Sequence, residues 1–262
     1  MNRILIRTVQ ALALPIALVA LWWWASAGST NFYFPPLSEI VGIFSDTWLS
    51  GGTRARWWTD VVPSLARLAA GFGLAAVIGI AGGLLIGSSR TLRALTEPVL
   101  EIFRAIPPPA FVPVLVILAG IDNLMKVLVI VFGCVWPILL NTVEGVRAVD
   151  PLQADVCRSY GIRGPGRLRS LVLRSASPQI MTGLRQALSV GIILMVISEM
   201  FAASNGIGFT VVQFQRTFAI PEMWTGIIVL GLLGTLLSLA FQVAENRVLG
   251  WYRGLHQAHR QE

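Results

Sequence analysis

The chain has 262 residues, of which 55% are hydrophobic and only 13% are charged, and its formal net charge is +7. A soluble domain carries about a quarter charged residues, so this composition argues against a soluble protein and indicates one embedded in a bilayer. Cys134 and Cys157 lie in an apolar run and in an arginine-rich loop, so they indicate no disulfide framework.

Six segments are long and apolar enough to cross a bilayer as helices, which takes about 20 residues each. They are Val9–Ala27, Leu68–Gly87, Ala105–Ile121, Val127–Val143, Ala187–Ala203 and Thr225–Val243. The third and fourth are short and nearly touch, which predicts a tight helical hairpin. We therefore expect an all-α integral membrane protein with six transmembrane helices.

The first segment has an alternative interpretation as a cleaved signal peptide. Arg3 and Arg7 precede it, and Ala25-Ser26-Ala27 matches a signal-peptidase site. However, the apolar run is long for a signal peptide, and Trp22-Trp23-Trp24 suits an anchor at the membrane interface. A retained span is the favoured interpretation.

A short amphipathic helix is predicted between the first two spans, lying on the outer surface of the membrane. Its apolar residues recur at helical spacing and are Leu37, Ile40, Val41, Phe44 and Trp48.

The basic residues set the orientation of the spans. If the N-terminus is cytoplasmic, segments 1–8, 88–104, 144–185 and 245–262 lie inside and hold 15 of the 20 basic residues. This distribution obeys the positive-inside rule, so both termini are expected in the cytoplasm. The positive charge is thus a signal of topology and not of nucleic-acid binding.

The second span carries a stripe of small residues. Gly71, Ala75, Gly79, Gly83 and Gly87 recur every four residues and so share one helix face. Such a stripe lets two helix backbones approach closely in a membrane. Packing within the chain is the favoured interpretation, and a gate-lining or subunit-facing role is the alternative. Further along, Pro107-Pro108-Pro109 is expected to open the third span, since proline is tolerated at a helix start.

The arginine-rich loop between the fourth and fifth spans is predicted to form two short amphipathic helices. Leu152, Val156 and Tyr160 share a face, which predicts a helix from Pro151 to Tyr160. Gly161 is expected to end this helix in a left-handed conformation. Pro165 allows a second start, with apolar residues at Leu168, Leu171 and Val172. The alternative is a solvated loop in contact with anionic lipid.

This loop resembles the EAA loop of permease subunits of bacterial ATP-binding-cassette (ABC) importers. The resemblance rests on Asp155-Val156-Cys157-x-x-x-Gly161, followed by Ser177-Pro178 and Thr182-Gly183-Leu184-Arg185. Similarity to the nitrate/sulfonate/taurine branch extends to Ala70-Gly71-Phe72, Arg104-Ala105-Ile106-Pro107-Pro108, Glu199-Met200 and Gly206-Ile207-Gly208. The chain departs from the family pattern at Asp155, Val156, Cys157 and Arg174, where Glu, Ala, Ala and Pro are usual.

The resemblance implies a type I ABC importer permease (MetI-like) fold. Residues 1–67 would hold the first span and the outer helix, and residues 68–262 would form a five-helix permease core. The segment 150–178, called the coupling loop below, would dock in a groove of a separate ATPase. The docking residues would be Asp155, Val156, Cys157, Arg158, Gly161, Arg163, Pro165, Leu168 and Leu171.

The resemblance also implies the partners and the location. These are two copies of the ATPase, a second permease copy, a periplasmic or lipid-anchored solute-binding protein, and membrane lipids, in the bacterial inner membrane. ATP would be bound by the partner, because this chain has no G-x-x-x-x-G-K-[ST] loop. We expect no cofactor, no metal at His256 and His259, no catalytic residue and no nucleic-acid partner.

Glu199 is the one acidic residue that lies inside a predicted span. Charges within the bilayer are costly and usually functional, so it would line the pathway or the outer gate. The alternative is a structural hydrogen bond near the interface.

Two other functions are compatible with an apolar helical chain. An ion-coupled carrier would bury several ionisable residues, and the sequence suggests one. A membrane enzyme would need a catalytic cluster, and no such cluster is readable. The sequence does not identify the transported solute.

Overall fold

The architecture is helical throughout the part of the chain that the structure describes. A computed structural model describes residues 2–201 and 203–252, and no strand occurs among them. The helices are α1 (Asn2–Ser26), α2 (Leu37–Trp48), α3 (Val62–Ser88), α4 (Arg90–Ala105), α5 (Val112–Ala119), α6 (Asn123–Arg147), α7 (Pro151–Ser159), α8 (Gly164–Arg167), α9 (Leu173–Phe201), α10 (Ile207–Arg216) and α11 (Ile220–Val248). The predicted all-α class is confirmed.

Four helical stretches among the described residues are long and apolar enough to cross a bilayer: Trp57–Ser88, Asn123–Arg147, Gly164–Phe201 and Ile220–Val248. The stretch Trp57–Ser88 begins with a π-helical turn, Trp57–Val61, that leads into α3. The stretch Gly164–Phe201 begins with α8. The bent pair α4–α5 would make a fifth span. In α1 the apolar helix with described side chains is Ala13–Ser26, which is shorter. The predicted first span starts at Val9, ahead of those side chains.

Within the predicted third span, Ala105–Ile121, the helical stretch begins at the prolines, as expected, but it ends at Ala119 and follows another helix, α4, at a sharp angle. The chain bends by 84° between α4 and the helical stretch that starts at Pro108. Three successive prolines supply no backbone N–H to continue the hydrogen-bond ladder of α4. Pro107 is extended, with ψ 121°, and a 3₁₀ turn at Pro108–Phe111 then leads into α5.

The second helix of the coupling loop is not a separate element. It continues through a π-helical turn at Leu168–Val172 into α9, so one helix runs from Gly164 to Phe201. The reason is a continuous buried face, because Val172, Ala176 and Ile180 pack together with Val146 of α6. The predicted break before the fifth span is therefore replaced by an extension of that span.

The centre of the bundle is the packing of α3, α6 and α9. Its buried core includes Leu68 of α3, Ile130 and Ile138 of α6, and Leu194 of α9. The stripe of small residues on α3 lies directly against α6, because a Cβ at Gly83 would lie 2.5 Å from the Cβ of Thr142. The structure thus places this stripe at a contact within the chain.

Helix α2 packs against α11. Leu37, Ile40 and Trp48 are buried, whereas Val41 is exposed. The indole N–H of Trp48 donates a hydrogen bond of 2.8 Å to Oγ1 of Thr225. The predicted amphipathic helix is therefore present, and its apolar face covers the last span.

Candidate functional site

Helix α7 of the coupling loop has well-defined ends. Oδ1 of Asp150 accepts the N–H of Leu152 at 2.8 Å, which caps the first turn. At the other end Gly161 has φ +67°. Its N–H bonds to the carbonyl of Arg158, and the N–H of Ile162 bonds to that of Cys157. This pattern is a Schellman motif, which ends a helix at a left-handed residue.

Helix α7 exposes an apolar stripe. Leu152 is 70% exposed, Val156 48% and Tyr160 80%. Beside the stripe, Asp155 and Arg158 form an ion pair of 3.0 Å at the surface. Cys157 is half-buried. Large apolar side chains exposed together on one short helix are typical of a surface that a partner covers.

The remaining predicted docking residues lie at the turn and on the following helix. Arg163, Pro165 and Leu168 are exposed. Leu171 is not, since only 6% of it is accessible. The expectation that Leu171 enters a groove of a partner is therefore corrected, because this side chain is covered within its own chain.

Arg174, one of the departures from the family pattern, borders a cavity. The cavity has a volume of about 610 Å³ and lies between the coupling loop and the end of α11. Gln153 of α7, Ser170 and Trp251 also line it. The arginine at this position is therefore exposed beside a cavity and does not interrupt the helix.

At the opposite end of the bundle, Glu199 is completely buried in a polar cluster. Nη1 of Arg67 donates to its Oε1 at 2.7 Å, and the hydroxyl of Ser64 lies 2.7 Å from the same oxygen. Oε2 accepts the backbone N–H of Gly208 at 3.0 Å. Both carboxylate oxygens are thus bonded within the chain, from α3 and from the start of α10.

The partners of Glu199 are themselves fully engaged. Arg67 donates through Nε to Asn123 at 2.8 Å and through Nη1 to the carbonyl of Asn205 at 3.2 Å. Its Nη2 bonds to the side chain of Asn205. Asp60 accepts the N–H of Gly206 at 3.0 Å. This network supports the structural alternative for Glu199 over a place on an open pathway.

The burial of Arg67 and Lys126 was missed by the sequence analysis. Only 5% of Arg67 and 3% of Lys126 are accessible, so the expectation of one buried ionisable residue was too low. The sequence did contain a signal for a buried ion pair. An arginine lies near the start of one predicted span and a glutamate near the end of another, and their charges can neutralise each other. The predicted tail residues His256 and His259 lie outside the described part of the chain.

The amino-acid sequence is similar to those of known proteins. Residues 75–250 match the family described as binding-protein-dependent transport system inner membrane component. The taurine transport system permease protein TauC of Escherichia coli is 30% identical over 241 residues, which cover 90% of this chain and 88% of TauC. The bicarbonate transport system permease protein CmpB of Synechococcus elongatus is 33% identical over 189 residues, which cover 72% of this chain and 68% of CmpB.

Further similarities concern a sulfonate system and solved structures. The putative aliphatic sulfonates transport permease protein SsuC of Bacillus subtilis is 26% identical over 245 residues, covering 93% of this chain and 87% of SsuC. An inward-facing MetNI methionine ABC transporter matches with a TM-score of 0.61 at 21% identity, over 72% of this chain and 94% of that chain. The structural match confirms the predicted importer-permease fold.

Proposed function

Since this chain belongs to the family of binding-protein-dependent transport system inner membrane components, in its nitrate/sulfonate/taurine branch, we propose that it carries a small anionic solute across the inner membrane, driven by an ATPase docked at its coupling loop. The chain is a multi-pass permease subunit of an ABC importer, which works with an ATPase and a solute-binding protein. The solute and the docking surface are the parts that we propose.

The proposed solute class follows from what three relatives carry. Their names specify taurine, aliphatic sulfonates and bicarbonate. These compounds are small, and each carries a negatively charged group of oxygen atoms. Taurine and the aliphatic sulfonates have a sulfonate group, and bicarbonate has a group that resembles a carboxylate. A small oxyanion is therefore the class that the relatives support best.

The exposed stripe on α7 is the single observation that carries the docking proposal. Leu152, Val156 and Tyr160 stand out from a helix whose end is set by the Schellman motif at Gly161. Tyrosine is one of the residues that most often carry binding energy at protein interfaces, and the aliphatic side chains beside it extend the apolar surface that a partner would cover. The charged pair Asp155–Arg158 beside them suits a polar rim around the apolar contact.

The remaining features of the assembly belong to the same proposal. The arginine-rich end of the bundle, with the coupling loop and both chain termini, faces the cytoplasm, and the Glu199 end faces outward. A second copy of the permease and two ATPase copies complete the transporter. This chain itself binds no ATP and performs no catalysis.

Co-purification of the ATPase with variants of α7 tests the docking surface. We expect Tyr160→Ala and Leu152→Ala to lower recovery of the ATPase by about 10-fold or more, the loss typical of a hot-spot side chain. Gln153→Ala, at an exposed polar position of the same helix, is the matched control and should retain the ATPase. Normal recovery with both apolar variants would place the docking surface elsewhere.

Uptake by the complete transporter in cells tests the solute class. The probes are taurine, ethanesulfonate and bicarbonate, and uptake of each is measured in cells with and without the gene for the ATPase partner. ATPase-dependent uptake of at least one probe is expected. Uptake of none of them would contradict the proposed solute class while leaving the docking proposal to its own test.

A further inference from the structure

Lys126 is a largely buried lysine whose ammonium group has no partner among the described residues. It is the only lysine of the chain and lies in the first turns of α6, with 3% of the residue accessible. Among the described residues, no acceptor lies within hydrogen-bond or ion-pair distance of its ammonium group. A buried charge is costly unless it is paired. No side chain in the described part of the chain therefore forms an ion pair with this positive charge.

The charged groups around Lys126 do not supply the missing partner. Arg67, Glu199 and Asp122 are the groups close enough to act on it electrostatically. Both oxygens of Glu199 are already bonded, and its charge is matched by that of Arg67. Asp122 is exposed just ahead of α6 and forms no ion pair among the described residues. Asp60, which is also buried at this end, accepts the N–H of Gly206 and pairs with Arg56, so it does not pair with Lys126 either.

The start of α6 adds to this positive field. The helix has 25 residues, and Asp122 at its N-cap makes no side-chain capping bond. The first N–H groups of a helix lack partners within it and give that end about half a positive charge. Helical side chains lean towards the N-terminus, so the stem of Lys126 directs its ammonium group to this same end.

The site lies within about one helical turn of the surface. Ile121, in the short connection between α5 and α6, is 62% exposed, and Leu124, in the first turn of α6, is 58% exposed. One turn of helix is about 5.4 Å, which the flexible stem of a lysine spans. An anion that arrives at this connection can therefore meet the ammonium group after a small local movement.

We propose that Lys126 and the N-terminus of α6 form a recognition point for the oxyanion group of the transported solute. This inference rests on the proposed function, in which the solute is a small anion. The ammonium group supplies the charge, and the first N–H groups of α6 supply further donors, as helix N-termini do for sulfate, phosphate and carboxylate. The recognition point lies at the end of the bundle that holds Glu199.

Two substitutions separate recognition from a structural role. Lys126→Met keeps the length of the side chain and removes the charge, and Lys126→Arg keeps the charge. We expect uptake of the transported probe to fall about 10-fold or more in Lys126→Met, as for loss of a charge-assisted hydrogen bond, and to persist in Lys126→Arg. Assembly and heat stability of Lys126→Met should be equal to or higher than those of the wild type, because an unpaired buried charge is gone.

Asp122→Asn tests the competing explanation that Asp122 neutralises Lys126. If it does, Asp122→Asn leaves the lysine unpaired, so heat stability of the complex falls and uptake is impaired. In our proposal the substitution removes a repelling carboxylate, so uptake is retained or increased. Unchanged uptake in Lys126→Met, or loss of assembly in both Lys126 variants, would overturn the proposal.

Chemical labelling gives a readout that does not depend on transport. Because Lys126 is the only lysine, acylation of this one side chain can be followed by peptide mass spectrometry in the assembled transporter. Ethanesulfonate should slow the acylation several-fold, and dimethyl sulfone, which is uncharged, should not. Equal labelling with and without ethanesulfonate overturns the proposal. A wild-type transporter that imports none of the probes yet shows protection contradicts only the proposed transport function.

Discussion

Nη1 of Arg67 lies 2.7 Å from Oε1 of Glu199, and this ion pair joins α3 to α9 although the two residues are 132 positions apart in the chain. Both side chains are almost completely buried. Asn123 at the start of α6 also accepts from Arg67, and Gly208 donates to Glu199. One pair therefore holds α3, α6, α9 and α10 together at a single end of the bundle.

Glu199→Gln should destabilise the fold. The substitution keeps the shape of the side chain but leaves the guanidinium of Arg67 buried without a counter-charge, which costs about 3–5 kcal/mol. We expect less assembled transporter in the membrane and a lower unfolding temperature. The matched control is Glu101→Gln, whose pair with Arg104 is exposed and contributes about 0–1 kcal/mol. Normal assembly with altered uptake would instead favour the gate interpretation.

Gly161→Val should disturb the end of α7 and leave the bundle intact. Among the described residues, apart from the two chain neighbours, no atom lies within 4 Å of a Cβ at this position, so the effect arises from the backbone. A side-chain-bearing residue in the left-handed region costs about 1–2 kcal/mol. We expect normal membrane insertion, weaker co-purification of the ATPase and reduced uptake.

Gly166→Ala is the control for that substitution. Its Cβ would lie 3.5 Å from Cγ2 of Ile162, which is an ordinary contact, and its backbone is helical. It should therefore behave as the wild type. Wild-type ATPase recovery and uptake in Gly161→Val would show that the left-handed residue does not set the docking geometry.

Gly83→Ala should loosen the contact between α3 and α6. The new Cβ would lie 2.5 Å from the Cβ of Thr142 and 2.8 Å from the carbonyl oxygen of Leu139, so the helices must separate. Overpacking of this kind costs about 1–3 kcal/mol. Gly73→Ala, on the same helix with nothing within 4 Å, should be neutral or stabilising, since alanine favours helix by about 1 kcal/mol. Thermal unfolding in detergent measures both, and equal stability would refute the close contact.

Cysteine labelling in intact cells tests the orientation. Ser170 in the coupling loop is exposed, and Leu124 at the opposite end is 58% exposed. In a Cys157→Ser background, an impermeant maleimide should label Leu124→Cys and spare Ser170→Cys until the cells are opened. Labelling of Ser170→Cys from outside would reverse the proposed topology.

Local patterns were sufficient to predict the first helix of the coupling loop and its end at Gly161. The apolar spacing of Leu152 and Val156 predicted a helix from Pro151, and the structure ends that helix at Ser159, one residue before the predicted end. Gly161 has the expected positive φ. These features depend on residues within a few positions of each other, so a single sequence contains the information.

Features that depend on contacts between residues far apart in the chain were not predictable from local patterns. The pairing of Arg67 with Glu199 joins two spans, and apolar periodicity does not indicate which spans are neighbours. The run Pro107-Pro108-Pro109 was compatible with a helix start as well as with the observed 84° bend. The continuation of α8 into α9 depends on Val146 of α6, whose position beside Val172 only the folded bundle supplies.

The unbroken helix from Gly164 to Phe201 has 38 residues, which corresponds to a rod about 57 Å long. Leu168 lies near one end, beside the surface proposed for the ATPase, and Glu199 lies near the other. A tilt of about 5° about the lower end would displace the upper end by about 5 Å at this length. In the proposed assembly, the end of the protein that docks the ATPase and the end that holds Glu199 therefore belong to one helix, so a tilt at the first end displaces the second directly.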